Sequence, residues 1–166
     1  MVITIKEEGS RFGVRVAAMI FNKDMSKIFL QRQGNHDFYM FPGGRVDIHE
    51  EAETSMKREL VEELGINEDV ILKYISENFV KFPNLKYHEI GFYYLVNIDE
   101  DKYNYNDYNK EYHSLDEEHD GESVFKWINI DDLDKYEVTP KHIKEKIKTK
   151  SLKKDNSFEH LTYREY

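Results

Sequence analysis

Three glutamates, Glu59, Glu62 and Glu63, lie close together in a segment whose pattern predicts a helix. Their i, i+3 and i+4 spacing places them on one side of that helix. Carboxylates in a last helical turn oppose the negative end of the helix dipole, at about 0.3–1 kcal/mol each when exposed. Because they add nothing evident to helix stability, we interpret them as ligands of a divalent cation. Hard oxygen donors of this kind suit Mg²⁺, with Mn²⁺ as the alternative.

A cation held in this way points to phosphate chemistry. Mg²⁺ typically takes one or two carboxylates and leaves its other positions to water and substrate phosphate. It can polarise a phosphoryl oxygen and lower the pKa of a bound water, whose proton a nearby carboxylate accepts. Gly43 and Gly44, just before the helix, allow the backbone to approach a ligand closely, although Pro-Gly-Gly by itself most often marks only a turn.

The helix is expected to run from about Glu50 to Leu64. Its buried stripe consists of apolar residues four apart: Ala52, Met56, Leu60 and Leu64. Glu63 falls inside this stripe, which is unfavourable for a carboxylate unless it is paired or ligated. Gly65 is expected to end the helix as a left-handed cap. The alternative is a solvated face on which Arg58 pairs with Glu62 or reaches back to Glu50.

Strands are expected to make up most of the remaining fold. Alternating apolar residues predict strands over 14–20, 27–32, 70–82, 90–98 and 124–130. Residues 99–120 are polar and are expected to form a long loop. Thr139-Pro140 is expected to open a last helix with Thr139 as N-cap. Residues 151–166 predict either an edge strand or an ordered extension. The order of elements indicates one domain over residues 1–166, with a mixed sheet covered by helices.

Composition restricts the class of protein. The chain has 166 residues, of which 39% are hydrophobic and 34% charged, and its net charge is −9. This acidity disfavours duplex nucleic acid as a partner. No apolar run is long enough for a membrane span, and the N-terminus does not resemble a signal peptide. Cysteine is absent, which excludes disulfides and thiolate metal sites, so a cytoplasmic location is the expectation.

The helix segment resembles the signature of the Nudix hydrolases. That signature is Gly, five residues, Glu, seven residues, Arg-Glu, an aliphatic, any residue, Glu-Glu, any residue, Gly and an aliphatic. Every fixed position is matched here: Gly44, Glu50, Arg58, Glu59, Leu60, Glu62, Glu63, Gly65 and Ile66. One nearby position departs, because relatives commonly have glycine where this chain has His49. A bulkier loop at that point is expected to alter substrate entry.

The resemblance implies an α/β/α sandwich with a mixed β-sheet. It also implies Mg²⁺-dependent hydrolysis of a diphosphate linked to another moiety, so that the partner is a small nucleotide. In the family the glutamates corresponding to Glu59, Glu62 and Glu63 bind metal, while Glu50 and Arg58 mostly organise the loop and helix. Either Glu50 or Glu59 serves as base, since members differ. Homodimers are common among relatives.

Residues outside the signature leave more alternatives open. A further carboxylate is expected from Glu89, Glu117, Glu118 or Glu122, and Glu89, Arg32, Gly43 and Gly44 are candidates for binding substrate. For Arg32, and likewise for Arg11, Arg15 and Arg45, the pattern favours a surface arginine over a phosphate ligand. Tyr103, Tyr105, Tyr108 and Tyr112 either stack on a base or belong to a mobile lid, and Phe79, Phe82 and Tyr93 either line a base pocket or form core.

Two other functions fit the same fold. A non-catalytic module that senses a nucleotide is one, although an intact signature argues against it. An isomerase of isoprenoid diphosphates is the other, and it normally uses a catalytic cysteine, which this chain lacks. The substrate is not fixed by the sequence, because nucleoside triphosphates, ADP-ribose, nucleotide sugars and dinucleoside polyphosphates all suit the signature.

Overall fold

The structure, a computed structural model, describes residues 1–116, 122–149 and 151–165. Within them the chain forms eleven strands and two α-helices. In order these are β1 Thr4–Glu7, β2 Ser10–Phe21, β3 Lys27–Gln33, β4 Tyr39–Met40, β5 Gly43–Arg45, α1 Ala52–Leu64, β6 Ile71–Phe82, β7 Leu85–Asn97, β8 Tyr112–His113, β9 Ser123–Asn129, β10 Val138–Thr139, α2 Lys141–Lys148 and β11 Glu159–Arg164. A 3₁₀ helix, Ile130–Lys135, precedes β10. No described helix is long and apolar enough to cross a bilayer.

Strand β2 is the centre of a mixed sheet. It runs parallel to β7 along its whole length, from Ser10 opposite Lys86 to Phe21 opposite Asn97. Strand β6 is antiparallel to β7, and the short β5 is antiparallel to the middle of β2. Strand β3 pairs with both β2 and β9. The predicted mixed sheet is therefore confirmed.

The two faces of β2 pack against different helices. Val16, Ala18 and Ile20 belong to one core cluster together with Met56 and Leu60 of α1. The intervening residues of the strand, Ala17, Met19 and Phe21, belong to a second cluster with Ile143 and Ile147 of α2. Successive strand side chains point to opposite faces, so one strand supplies both cores. The resulting α/β/α sandwich confirms the predicted fold class.

The loop after β7 differs from its expected role. Tyr105 and Tyr112 are buried in the α1-side core, not presented as stacking platforms or a mobile lid. The Tyr105 hydroxyl donates to the carbonyl of Leu64 at 2.7 Å, and the indole nitrogen of Trp127 donates to the carbonyl of Tyr105 at 2.7 Å. The hydroxyl of Tyr112 donates instead to the carbonyl of Asp107, at 3.1 Å. The loop interpretation was therefore wrong for these two tyrosines, because their rings are buried and their hydroxyls have fixed partners.

The two predictions near the C-terminus met different outcomes. Pro140, not Thr139, holds the N-cap position of α2, so that boundary was wrong by one residue. The edge-strand expectation for the tail is confirmed, since β11 runs parallel to β6 from Glu159 opposite Tyr74 to Arg164 opposite Phe79. Lys73, only 4% exposed, anchors the preceding connection through bonds to the side chain and carbonyl of Asp155, both 3.1 Å.

Candidate active site

The end of α1 is fixed by several backbone contacts. Gly65 has a left-handed φ of 65°, as predicted, and its N–H donates to the carbonyl of Val61 at 3.0 Å. The N–H of Leu115 donates to the carbonyl of Glu63 at 2.8 Å. These bonds satisfy carbonyls that a helix end leaves free. The last two turns are consequently held in place while the Glu59 and Glu63 side chains lie inward, 8% and 4% exposed as residues.

Glu59 lies against the glycine strand β5. A side chain on Gly44 would place its Cβ 2.3 Å from Oε1 of Glu59. Gly43 has a φ of 150°, and a Cβ there would lie 2.1 Å from the carbonyl oxygen of Val16. The two glycines therefore act differently: Gly43 lets β5 approach β2, and Gly44 leaves room for the Glu59 carboxylate.

Glu63 is the most perturbed carboxyl of the site. Burial and then the nearby charge of Glu59 raise its pKa to about 8, while the guanidinium of Arg15 and a hydrogen bond from Gln31 oppose that rise. Two buried carboxyl groups in one corner are destabilised by each other and by desolvation. A bound cation would relieve both effects, so the donor set fits a hard divalent ion.

Glu62 lies at the outer side of the same helix. Its side chain is 48% exposed and pairs with Arg58 at 3.1 Å. Among the described parts of the chain, no three carboxylate or imidazole groups converge on one point. A cation held by Glu59 and Glu63 would thus have two protein ligands, a number Mg²⁺ accepts when water and phosphate complete its shell.

Arg58 ties the loop to the helix. Its Nε and Nη2 donate to the two oxygens of Glu50 at 2.9 and 3.0 Å, and its Nη1 donates to Oε1 of Glu59 at 2.9 Å. The ion pair with Arg58 lowers the pKa of Glu50 and raises that of Arg58. Arg58 therefore contacts both partners that the sequence left as alternatives, Glu50 and Glu62, and it also orients Glu59.

His49 adopts a conformation that favours glycine. Its φ is 68°, in the left-handed region. Non-glycine residues there are strained by a close contact between Cβ and the backbone, at roughly 1–2 kcal/mol. His49 occupies the position, just before Glu50, at which relatives commonly have glycine, and its imidazole is exposed.

A cavity of about 460 Å³ lies beside the α2-side core. Its lining includes Arg15, Phe41, Asn78, Glu89, Tyr93 and Tyr163. Arg15 joins the cavity to the carboxylates, because it lines the cavity, donates to the carbonyl of Phe41 at 3.1 Å and acts on the charge of Glu63. Sequence reasoning left Arg15 undistinguished from other arginines. The available signal was the alternation along β2, which places Arg15 on the same face of the strand as Ala17, another lining residue of the cavity.

The other predicted substrate residues divide into two groups. Glu89, Phe82 and Tyr93 line the cavity. Arg32 is not among the described lining residues; it lies 3.7 Å from Glu111 and donates to the carbonyl of Gly34. Gln31, its neighbour on β3, contacts Glu63 instead.

The remaining candidates lie elsewhere. Phe79 stacks on His88 with ring centroids 4.3 Å apart, at a second cavity of about 440 Å³. The exposed Glu122 pairs with His113 at 3.1 Å. Glu117 and Glu118 fall outside the described residues.

The C-terminal strand supplies part of the cavity wall. Tyr163 and Glu165 both contribute to the lining. The ring of Tyr163 stacks on His142 of α2, with centroids 4.6 Å apart and planes 12° from parallel. The N–H of Glu165 donates to the carbonyl of Phe79 at 3.0 Å, which continues the pairing with β6. Sequence patterning had no means of locating this contact, because it depends on a long-range strand pairing.

Comparison with known proteins finds relatives that are similar over about half of this chain. An RNA pyrophosphohydrolase of Aeromonas hydrophila is 38% identical over 76 residues, 45% of this chain and 43% of that protein. An 8-oxo-dGTP diphosphatase of Haemophilus influenzae is 37% identical over 91 residues, 51% of this chain and 62% of that protein. The chain thus spans about half the length of the relatives it matches.

A solved structure extends the similarity over most of the fold. The MutT NUDIX hydrolase of Burkholderia pseudomallei superposes with a TM-score of 0.60 at 22% identity, over 85% of this chain and 98% of that one. The sequence profile of the NUDIX domain matches residues 11–148, which contain α1, the glycine strand and every strand that positions them. The chain therefore belongs to the NUDIX domain family.

Proposed function

We propose that the protein hydrolyses a phosphoanhydride bond in a nucleoside diphosphate linked to another moiety. One arrangement carries the proposal: Arg15 lines a cavity of about 460 Å³ that aromatic residues also line, and its charge acts on Glu63, which is buried close to Glu59. That volume falls in the usual range for small-molecule sites. The names of the two relatives, a pyrophosphohydrolase and a diphosphatase, support the same reaction class.

We assign the cation to Glu59, Glu62 and Glu63, with Mg²⁺ preferred over Mn²⁺. When bound, such an ion polarises a phosphoryl oxygen and lowers the pKa of water. Glu59 and Glu63 would supply its inner oxygens. Glu62, whose side chain is exposed and paired with Arg58, would leave that ion pair to become the third ligand. The guanidinium of Arg15 binds phosphate oxygens between this corner and the cavity, a role that its fixed fork of donors suits.

The proton-accepting role falls to Glu59 in this proposal. Arg58 engages both carboxylate oxygens of Glu50 but only Oε1 of Glu59. A carboxylate whose two oxygens are both held by a guanidinium, with a lowered pKa, is a poor proton acceptor, which disfavours Glu50 for this role. Glu50 and Arg58 then act by positioning Glu59 and the loop before α1.

A product-resolved substrate screen tests the proposal. The protein is incubated with nucleoside triphosphates, ADP-ribose, nucleotide sugars and dinucleoside polyphosphates, with Mg²⁺ or Mn²⁺. We expect metal-dependent release of a nucleoside monophosphate together with pyrophosphate or the linked phosphate. Glu63→Gln should lower turnover by about 10²-fold or more, in the range found for removing one electrostatic catalytic group.

Glu53→Gln is the matched control on the same helix. Glu53 is an exposed first-turn glutamate that pairs with Lys57 at 2.8 Å, so its neutralisation should leave turnover unchanged. Full activity in Glu63→Gln would refute the assignment. Tight nucleotide binding without turnover of any substrate would favour the sensing module instead. A homodimer stays a prediction, which light scattering checks.

A further inference from the structure

Glu89, on strand β7, is a carboxylate that lines the cavity. Glu89 is partly buried, whereas Glu137 and Glu165 are exposed at the rim. The hydroxyl of Tyr87 donates to Oε2 of Glu89 at 2.6 Å, and the amide nitrogen of Asn78 approaches Oε1 at 3.5 Å. Each carboxylate oxygen accepts more than one hydrogen bond, so both oxygens keep acceptor capacity for a ligand in the cavity.

A directed set of hydrogen bonds fixes the orientation of these partners. The hydroxyl of Ser76 donates to Oδ1 of Asn78 at 2.8 Å, which turns the Asn78 amide nitrogen towards Glu89. Because that hydroxyl has only one proton, Nε2 of His142, 2.7 Å away, is the donor to Ser76. Ser76 and Asn78 are 0% and 4% exposed. Every bond in this series points its donor towards Glu89, so Glu89 presents acceptors alone.

The other walls of the cavity suit a flat aromatic ring. Phe38, which is partly buried, and Phe82, which is exposed, both line the cavity, whereas Phe41 and Tyr93 are buried behind its surface. Tyr163 supplies a further ring from β11. Aromatic side chains of this kind stack on nucleobases, at about 1–3 kcal/mol per base. Stacking alone does not distinguish one base from another, so selection has to come from the polar groups.

The bases differ in what they present to a pair of acceptors. Guanine has two adjacent donors on its pairing edge, the N1–H and the 2-amino group. Adenine and cytosine place a ring-nitrogen acceptor beside their amino group, and uracil places its N3–H between two carbonyl oxygens. Acceptors facing the oxygens of Glu89 would be left unpaired and repelled, which is the kind of mismatch that binding sites reject strongly.

We propose that the cavity binds a guanine-type base, whose N1–H and 2-amino group donate to the two carboxylate oxygens of Glu89. The proposal rests on the proposed function, since it names the base of that substrate. The base lies against Phe38, Phe82 and Tyr163, and the phosphates extend past Arg15 towards Glu59 and Glu63. Tyr87 and Asn78 are positioning residues that hold the carboxylate for this contact.

Equilibrium binding without metal separates this proposal from the hydrolase assignment. Calorimetric titrations use the whole chain, in a chelating buffer, with GMP, IMP, AMP, CMP and UMP. We expect GMP to bind roughly tenfold or more tightly than AMP, CMP or UMP. IMP keeps the N1–H and lacks the 2-amino group, so its affinity should lie between those of GMP and AMP.

Variants at the carboxylate give the second arm of the test. Glu89→Gln replaces one acceptor oxygen by a donor of the same shape and should remove most of the preference for GMP over AMP. Glu137→Gln neutralises a rim carboxylate and should leave that preference intact. Circular dichroism and thermal unfolding establish that each variant is folded. The comparison of the five nucleotides uses the wild-type protein, so it tests the proposal even if a variant fails to fold.

The outcomes distinguish the two proposals. Equal affinity for GMP and AMP, absence of GMP binding, or an unchanged GMP preference in folded Glu89→Gln would overturn the base assignment. A GMP preference abolished by Glu89→Gln, in a protein that hydrolyses none of the screened substrates, supports this inference and refutes the hydrolase. Metal-dependent turnover without a preference for guanine refutes this inference and supports the hydrolase.

Discussion

The carboxylate of Glu59 occupies the space in which Gly44 would carry a side chain. A Cβ on Gly44 would lie 2.3 to 2.6 Å from the two oxygens and the carboxyl carbon of Glu59. Gly44 lies on a short strand that pairs with β2, and Glu59 lies on α1. The glycine strand therefore sets where the helix places its inner carboxylate.

Gly44→Ala and Gly43→Ala should separate activity from folding. At Gly44 the atoms that must move are the flexible end of Glu59, so Gly44→Ala should fold normally and lose about 10²-fold in turnover through misplacement of that carboxylate. At Gly43 the obstacle is the backbone of Val16, so Gly43→Ala should lose about 1–3 kcal/mol of stability from overpacking. Urea unfolding and metal-dependent turnover measure the two effects. Equal stability losses in both variants would contradict the distinction.

His49→Gly should stabilise the protein. The left-handed φ of 68° strains the imidazole-bearing residue, and glycine adopts that conformation without the Cβ contact. We expect a gain of about 1 kcal/mol in the free energy of unfolding, measured by urea denaturation. His49→Ala retains the Cβ and serves as the matched control, with no gain expected. A destabilised His49→Gly would show that the imidazole makes a contact that outweighs the strain.

Acid should destabilise the protein through His142. Burial lowers the pKa of His142 from 6.5 to about 4, so the folded state holds this ring neutral while the unfolded chain protonates it. The unfolded state then binds more protons between those values, so stability falls as pH decreases from about 6.5 and levels off below about 4. Because the ring is only partly buried, we expect a loss of about 1–2 kcal/mol, less than the full shift would give.

His142→Gln tests that dependence while keeping a donor near Ser76. Its unfolding free energy should vary less with pH over this interval than that of the wild type. His160→Gln is the control, because His160 is exposed and pairs with Glu77 at 2.9 Å. The assignment fails if the two variants show the same pH profile, measured by urea titration at several pH values.

Tyr163→Ala should weaken substrate binding with little effect on the chemical step. Its ring lines the cavity and stacks on His142, far along the chain from the carboxylates of α1. Loss of one stacking surface predicts a KM about tenfold higher with a similar kcat, as expected when ground-state and transition-state binding fall together. Thr162→Ala, at the exposed neighbour on the opposite strand face, should leave KM unchanged. A fall in kcat alone would instead place Tyr163 in the catalytic step.

The helix was predictable from sequence because its signals are local. Ala52, Met56, Leu60 and Leu64 define its buried stripe, and Gly65 marks its end. The inward position of Glu63 follows from the same periodicity. The α/β/α architecture was also accessible, since long alternating strands flank a single strong helix and the signature resembles a known family.

Contacts between distant elements were not predictable. Arg15 and Arg32 look equivalent in sequence, yet only Arg15 lies on the strand face that leads to the cavity. Tyr105 and Tyr112 lie in a polar segment. Tyr105 is buried with bonds to Leu64 and Trp127, and Tyr112 packs on Phe29, contacts that patterning does not bring together. Strand β5 is three residues long, too short for a hydrophobic period to identify it.

The position of β11 has a consequence for how the molecule can diversify. This strand ends the main path of the sheet, where it pairs with β6, and it lies beyond residues 11–148, which match the family profile. It nevertheless supplies Tyr163 and Glu165 to the cavity. Substitutions in this terminal segment can therefore reshape ligand preference while α1 and the glycine strand keep their geometry, so that recognition and chemistry are able to evolve separately.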